Sequence, residues 1–315
     1  MALTVLGAVL LTSPSASAGT DAKAIGSWHR VASMLHARSA HGVVTLAGKI
    51  YAVAGSGPAG PVHEVERYDG KNWAVETNLP GEGLNAPAAV TLGGLIYVVG
   101  GFEGLTNVPT AEVQVYDPAT GQWRKAAPLP APRGGHAAVV LDGKIHVLGG
   151  GNSRSTIGDH SVYDPGTDSW TEAAPLPRAE GSPAAVVFRG RIYAIGGRSG
   201  NSDIGAVDVY NPATNTWGKG PRISPRGTAG AVVYRSAVYL FGGESQARGK
   251  TLNDVLRLDP KTNVWRRINR MPSARNYARA VVFKDAVYVV GGSKLPGASH
   301  TSAGSKLVER YFVRR

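Results

Sequence analysis

"YDPATGQWRKAAPLPAPRGGHAAVVLDGKIHVLGG", residues Tyr116–Gly150, holds an Asp-Pro turn, a lone tryptophan, an arginine ahead of a run of small residues, and an apolar run that ends in two glycines. Whether it carries chemistry or architecture depends on whether it recurs, and it does. The six tryptophans, Trp28, Trp73, Trp123, Trp170, Trp217 and Trp265, stand 45, 50, 47, 47 and 48 residues apart. Apolar runs end at Ala54-Gly55, Gly100-Gly101, Gly149-Gly150, Gly196-Gly197, Gly242-Gly243 and Gly291-Gly292. A tyrosine precedes the tryptophan at Tyr68, Tyr116, Tyr163 and Tyr210; Leu258 replaces it once, and Tyr311 has no tryptophan after it. A fixed period of this length marks units that bury their apolar faces only by stacking on their neighbours.

Each unit predicts four strands. In the quoted stretch, "HAAVVL" and "KIHVLGG" make a hairpin across Asp142-Gly143, a dipeptide suited to a primed two-residue turn. A third strand ends at Tyr163, where Asp164-Pro165 starts a turn because proline presets φ, and a fourth begins at Trp170. Four-stranded units of this period read as propeller blades. Composition agrees: 42 glycines and 20 prolines in 315 residues disfavour long helices.

The glycine pair, the spaced tyrosine and tryptophan, and segments such as "PRGGH" before a first strand resemble the Kelch repeat over about residues 27–313. The resemblance implies an all-β, six-bladed Kelch β-propeller with four antiparallel strands per blade, a single domain over residues 19–315. The whole sequence is similar to secreted bacterial Kelch-repeat proteins that carry a galactose-oxidase-like label. Trp28 belongs to a fourth strand with no first three before it, and the last unit, Arg275 to Tyr311, has three strands and no fourth. "GSWHRV" (residues 26–31) is therefore expected to complete the last blade as its outer strand, removing an open sheet edge.

The ends and the charge set further bounds. "LTVLGAVLL" followed by "SPSASA" reads as a secretory signal over residues 1–18, which places the mature chain outside the cytoplasm, secreted or periplasmic. No stretch is apolar for long enough to span a bilayer. A monomer is expected. A net charge of +12 favours acidic partners. Basic runs and interleaved aromatics are missing, so no nucleic-acid partner is expected. The chain contains no cysteine, which excludes disulfides, thiolate metal sites and cysteine nucleophiles. His41 and His136 occupy equivalent positions without a paired carboxylate and read as repeat residues, so neither metal nor cofactor is expected. His160 and His300 fall on variable loops, freer to meet a substrate.

Function should sit where the repeats differ, on the loops that follow the glycine pairs. Aligning the units on those pairs puts Arg38, Leu84, Arg133, Glu180, Arg226 and Arg275 at the mouth of the central channel. Two roles are open for the arginines: bidentate binding of an anion, with Glu180, Glu103 and Glu244 balancing charge, or hydrogen bonding to carbonyls of the blades. The ligand-binding set expected on the first role is Arg38, Arg133, Glu180, Arg226, Glu244 and Arg275. It favours a secreted propeller that binds an acidic glycan or an acidic peptide of a protein partner. The alternative is a carbohydrate-active enzyme, because "GTAGAVVYRSAVYLFGGE" (residues 227–244) is similar to a segment of the sialic-acid epimerase (mutarotase) family. That resemblance implies arginines holding a sugar carboxylate, with Glu244 or Glu180 as general acid/base. The copper oxidase chemistry of galactose oxidase is excluded, since its tyrosine–cysteine cross-link has no cysteine to form from.

Overall fold

A computed structural model describes residues 25–104, 106–297 and 301–313. The export segment expected at residues 1–18, and His300, lie outside the described residues. Six antiparallel sheets of four or five strands follow one another along the chain, with three two-stranded ribbons between strands of the first, fourth and fifth blades. The first blade pairs Gly42–Leu46, Lys49–Val53, Glu64–Tyr68 and Trp73–Asn78 in that order. The pattern repeats from Ala88–Leu92, Ala137–Leu141, Ala184–Phe188, Gly230–Tyr234 and Arg279–Phe283, the inner strands of the next five blades. In the second blade a two-residue strand, Leu84–Asn85, adds to the lengthened second strand Leu95–Glu103. Asp142 and Gly143 turn the third hairpin with φ of 51° and 73°, the primed geometry expected of that dipeptide.

The sixth blade closes as the repeat requires. Its strands Arg279–Phe283, Ala286–Val290 and Val308–Phe312 are completed by Ser27–Arg30, which pairs antiparallel with Val308–Phe312. Trp28 sits opposite Tyr311, the register that Tyr68–Trp73 and Tyr116–Trp123 hold within their own blades. The unpaired tyrosine and the unpaired tryptophan are thus two halves of one unit, with ring centroids 4.7 Å apart.

Six apolar clusters of the core lie one at each blade–blade interface, which is how units too thin to bury their own faces become stable. Tyrosine and tryptophan pair in the cross-strand register and lie 5.0–5.2 Å apart in four blades. Four indole N–H groups then reach a carbonyl of the preceding unit: Trp73 to Ala32, Trp170 to Ala127, Trp217 to Ala174 and Trp265 to Pro221, at 2.7–3.0 Å. The tryptophan column therefore supplies both apolar area and a directional link between units.

Candidate functional site

Between blades the chain crosses from an outer strand to the next inner strand, and six such crossings surround the axis. At each one the second residue of the glycine pair donates its N–H to the next unit's aligned residue. Gly55, Gly101, Gly150, Gly197, Gly243 and Gly292 donate to the carbonyls of Leu84, Arg133, Glu180, Arg226, Arg275 and Arg38, at 2.8–3.0 Å. These glycines hold φ between 91° and 116°, and a Cβ at Gly243 would stand 2.6 Å from the Gly227 carbonyl oxygen. The six aligned residues are therefore structurally equivalent in their backbones.

Their side chains do not converge on the channel. The arginine side chains turn back into their own blades, between the second and third strands. Arg275 donates to the carbonyls of Gly291 and Leu307, at 2.6 and 3.1 Å, and to Glu309 at 2.7 Å. Arg38 repeats this with Ala54, Glu64 and the carboxylate of Glu66. Arg226 reaches the Gly242 carbonyl and Asp254, and Arg133 reaches Asp159 at 3.2 Å. All four are at most 2% exposed, and burial lowers each guanidinium's pKa while the neighbouring carboxylate raises it. This is the second of the two roles open from the sequence: the arginines join strands.

The two departures from the arginine column follow the same logic. Leu84 is buried in the apolar cluster between the first two blades, and its blade carries neutral Gln114 where others carry Glu66 or Glu309. Glu180 reverses the arrangement: Arg178, two residues earlier, bridges Glu180 and Asp208, and Asp208 occupies the strand position of Glu66. Burial, helped by Asp208 and opposed by Arg178, pushes the Glu180 carboxyl up to about 7, but that side chain is 1% exposed. Glu244 is fully buried, paired with Arg198 and accepting from Asn276 Nδ2 and the Gly297 N–H. Glu103 is exposed, at the tip of the second blade's lengthened strand.

Two residues beyond the arginine column lies a feature the sequence reading passed over. The N–H groups of Ala86, Gly135, Ser182, Thr228 and Tyr277 each donate to the carbonyl of the counterpart in the preceding blade, from Ala40 round to Thr228, at 2.6–3.2 Å. All six residues are left-handed, with φ of 48–60°. A hydrogen-bonded collar thus rings the axis at the loop face, offsetting the strain that five non-glycine residues carry in this region. Tyr277 packs with Ala40 and Ala86 beside Phe102, its hydroxyl 3.2 Å from Ser182 Oγ. Above the collar lies a basin of about 360 Å³ lined by Asn85, Phe102, Ser182, Arg198, Gln246 and Tyr277 among others. Carrying the glycine-pair alignment two columns further would have exposed Tyr277 as the large residue in a column of small ones.

Charge on this face is unevenly placed. The loops of the third, fifth and sixth blades present Arg154, Arg248, Lys250 and Lys294 to solvent, and Arg198 of the fourth is partly exposed. The loops of the first two blades carry no arginine or lysine, and Glu103 is exposed there.

His160 differs from expectation. It is 2% exposed and packs between the third and fourth blades against Tyr210 and Trp217, because the third strand starts at that residue and not beyond it. Its Nδ1 lies 3.1 Å from the Ala174 carbonyl, so Nδ1 carries the proton and Nε2 accepts from His146 Nδ1 at 2.9 Å. Burial holds both imidazoles down at about 4, His136 at about 3, and His41 well below its ordinary value. Four histidines folded neutral but protonated when unfolded mean stability present above pH 6.5 and lost as pH falls from there toward 4. The loss is at most about 1.4 kcal/mol per pH unit for each group. The melting temperature should fall steeply over that window, and less steeply in His146→Leu; parallel pH profiles would refute the assignment.

Six four-stranded blades, inter-blade tyrosine–tryptophan packing and glycine-pair crossings define a Kelch-type β-propeller. Residues 88–292 match the KLHDC2/KLHL20/DRC7 Kelch-repeats domain and residues 37–80 the Kelch motif, so the chain belongs to the Kelch-repeat family. Mouse (Mus musculus) Kelch-like protein 35 is 37% identical over 128 residues, 40% of this chain and 22% of that protein. Human (Homo sapiens) Kelch-like protein 23 is 32% identical over 126 residues, 39% of this chain and 22% of that protein. Alpha-scruin of Limulus polyphemus is 35% identical over 132 residues, 39% of this chain and 14% of that protein. The chain thus spans less than a quarter of the length of these relatives. The fold is also similar to that of YjhT, with a TM-score of 0.75 at 17% identity over 87% of this chain and 94% of the other.

Proposed function

We propose that this propeller is a non-catalytic binding module that takes an acidic segment of a protein partner on its loop face. The observation that carries the reading is the exposure of Arg154, Arg248, Lys250 and Lys294 on loops of the third, fifth and sixth blades, where Thr156 and Gln246 of the same loops line the collar basin, while the loops of the first two blades carry no basic residue. Opposed charge steers and orients an acidic partner, and the basin offers Tyr277 and Phe102 as apolar anchors. An acidic glycan presents the same charge and is the competing ligand in the test. Export through residues 1–18 and a monomeric propeller belong to the same proposal. As an epimerase the chain would need Glu180 or Glu244 to reach a sugar, and both side chains are buried in ion pairs.

The test is a binding titration of the mature protein with an acidic peptide, its neutral counterpart, and sialic and uronic acids. Acidic peptide should bind, weaken as salt rises, and lose at least tenfold affinity in Arg154→Glu/Arg248→Glu. Equal affinity for the neutral peptide, or no loss in the double variant, would overturn the proposal. Binding of the acidic sugars alone, followed by mutarotation in an NMR assay, would replace it with the enzyme reading.

A further inference from the structure

Two columns beyond the collar, the inner strands line the central channel with Gly42, Ala88, Ala137, Ala184 and Gly230. The space is tight at this level: a Cβ on Gly42 would stand 2.5 Å from the Ala89 Cβ. The sixth blade breaks the column with Arg279. Its Nε donates to the His41 carbonyl at 2.9 Å. No carboxylate among the described residues forms an ion pair with it, in contrast to Arg38, Arg133, Arg226 and Arg275. The guanidinium borders a cavity of about 110 Å³ that it shares with His136 and with the alanines and glycines of all six inner strands. Arg279 is partly exposed to the channel, and desolvation lowers its pKa with no carboxylate to compensate.

A partly desolvated cation with no counter-charge favours an accompanying anion. The repeat itself shows that nothing in the fold demands a cation at this position, since five blades do without one. We infer that the central channel binds a small inorganic anion, of the halide or nitrate class, on the Arg279 guanidinium beside His136. The cavity admits a few water-sized groups, which excludes sugars and peptides. This site lies beneath the collar and is separate from the loop-face basin, so it goes beyond the proposed function.

The experiment compares melting temperatures in sodium chloride, sodium nitrate and sodium gluconate at equal ionic strength, for the native protein, Arg279→Ala and Arg248→Glu. At about ten times Kd, chloride or nitrate should raise the native melting temperature by roughly 2–4 °C over gluconate. The same rise should persist in Arg248→Glu and vanish in Arg279→Ala. Arg279→Ala restores the alanine of three other blades and should melt in gluconate at or above the native value. A bromide-soaked crystal of the native protein should show an anomalous peak within hydrogen-bonding distance of Arg279. No chloride or nitrate effect in the native protein, an undiminished one in Arg279→Ala, or a bromide map empty at Arg279 would each overturn the site.

Discussion

A chain lacking residues 19–33 is expected to lose its cooperative melting transition, or to melt more than about 15 °C lower, and to self-associate. Three kinds of interaction would go at once. The strand Ser27–Arg30 supplies the outer ladder of the sixth blade. Trp28 fills the space between Tyr311, at 4.7 Å, and Phe241, at 6.0 Å. The carbonyls of Ile25 and Gly26 accept from the Tyr311 hydroxyl and from Asn269. Truncating one large aromatic in such a setting costs about 3–5 kcal/mol, and a whole domain is stable by only about 5–15 kcal/mol. The strand Val308–Phe312 would then present a bare edge, a template for pairing with another chain. Trp28→Ala alone should fold and melt roughly 6–15 °C lower. A soluble deletion with an unshifted transition would show that the ring does not depend on its clasp. Partial recovery on adding a peptide of residues 25–33 would show that it does.

The clasp could be read from the sequence because it leaves two unpaired signals, a tryptophan with no tyrosine before it and a tyrosine with no tryptophan after it. Blade number, strand order and the Asp142-Gly143 turn were legible for a similar reason: each rests on local periodicity or on turn chemistry. Side-chain direction was not. Aligning the repeats correctly located the backbones of Arg38, Arg133, Arg226 and Arg275, but a backbone at the channel mouth does not say which way a long side chain turns. The deciding partners, Glu66, Asp159, Asp254 and Glu309, come from strands or strand ends 26–34 residues away. They stand in two columns, Glu66 and Glu309 two residues before the blade's tyrosine and Asp159 and Asp254 four residues before Tyr163 and Leu258, so no single column announces the pairing. His160 was misplaced because the third strand of its blade starts at that residue. Tyr277 and Arg279 lie two and four residues beyond the arginine column, each a large residue in a column of small ones.

If the arginines join strands, the strength of each should follow the burial of its acid. Arg275 and Glu309 are 0% and 2% exposed, and the guanidinium also satisfies the carbonyls of Gly291 and Leu307. Arg275→Ala leaves a buried carboxylate and two carbonyls without their donor, which should cost about 3–5 kcal/mol and lower the melting temperature by roughly 10 °C or more. Arg133→Ala should cost less, about 1–2 kcal/mol, because Asp159 has a side chain 56% exposed and water can take over from the guanidinium. The second blade shows how the pair can be removed without harm: Leu84 is buried among apolar groups and Gln114 Nε2 donates to the Pro80 carbonyl at 3.3 Å. Transplanting that solution as Arg275→Leu/Glu309→Gln removes both charges together, and should recover most of the loss and fall within about 2 kcal/mol of the native protein. A double variant as unstable as Arg275→Ala would mean the two carbonyls, and not the ion pair, are what the arginine serves. Single variants that melt like the native protein would return the arginines to the role of ligand-binding groups.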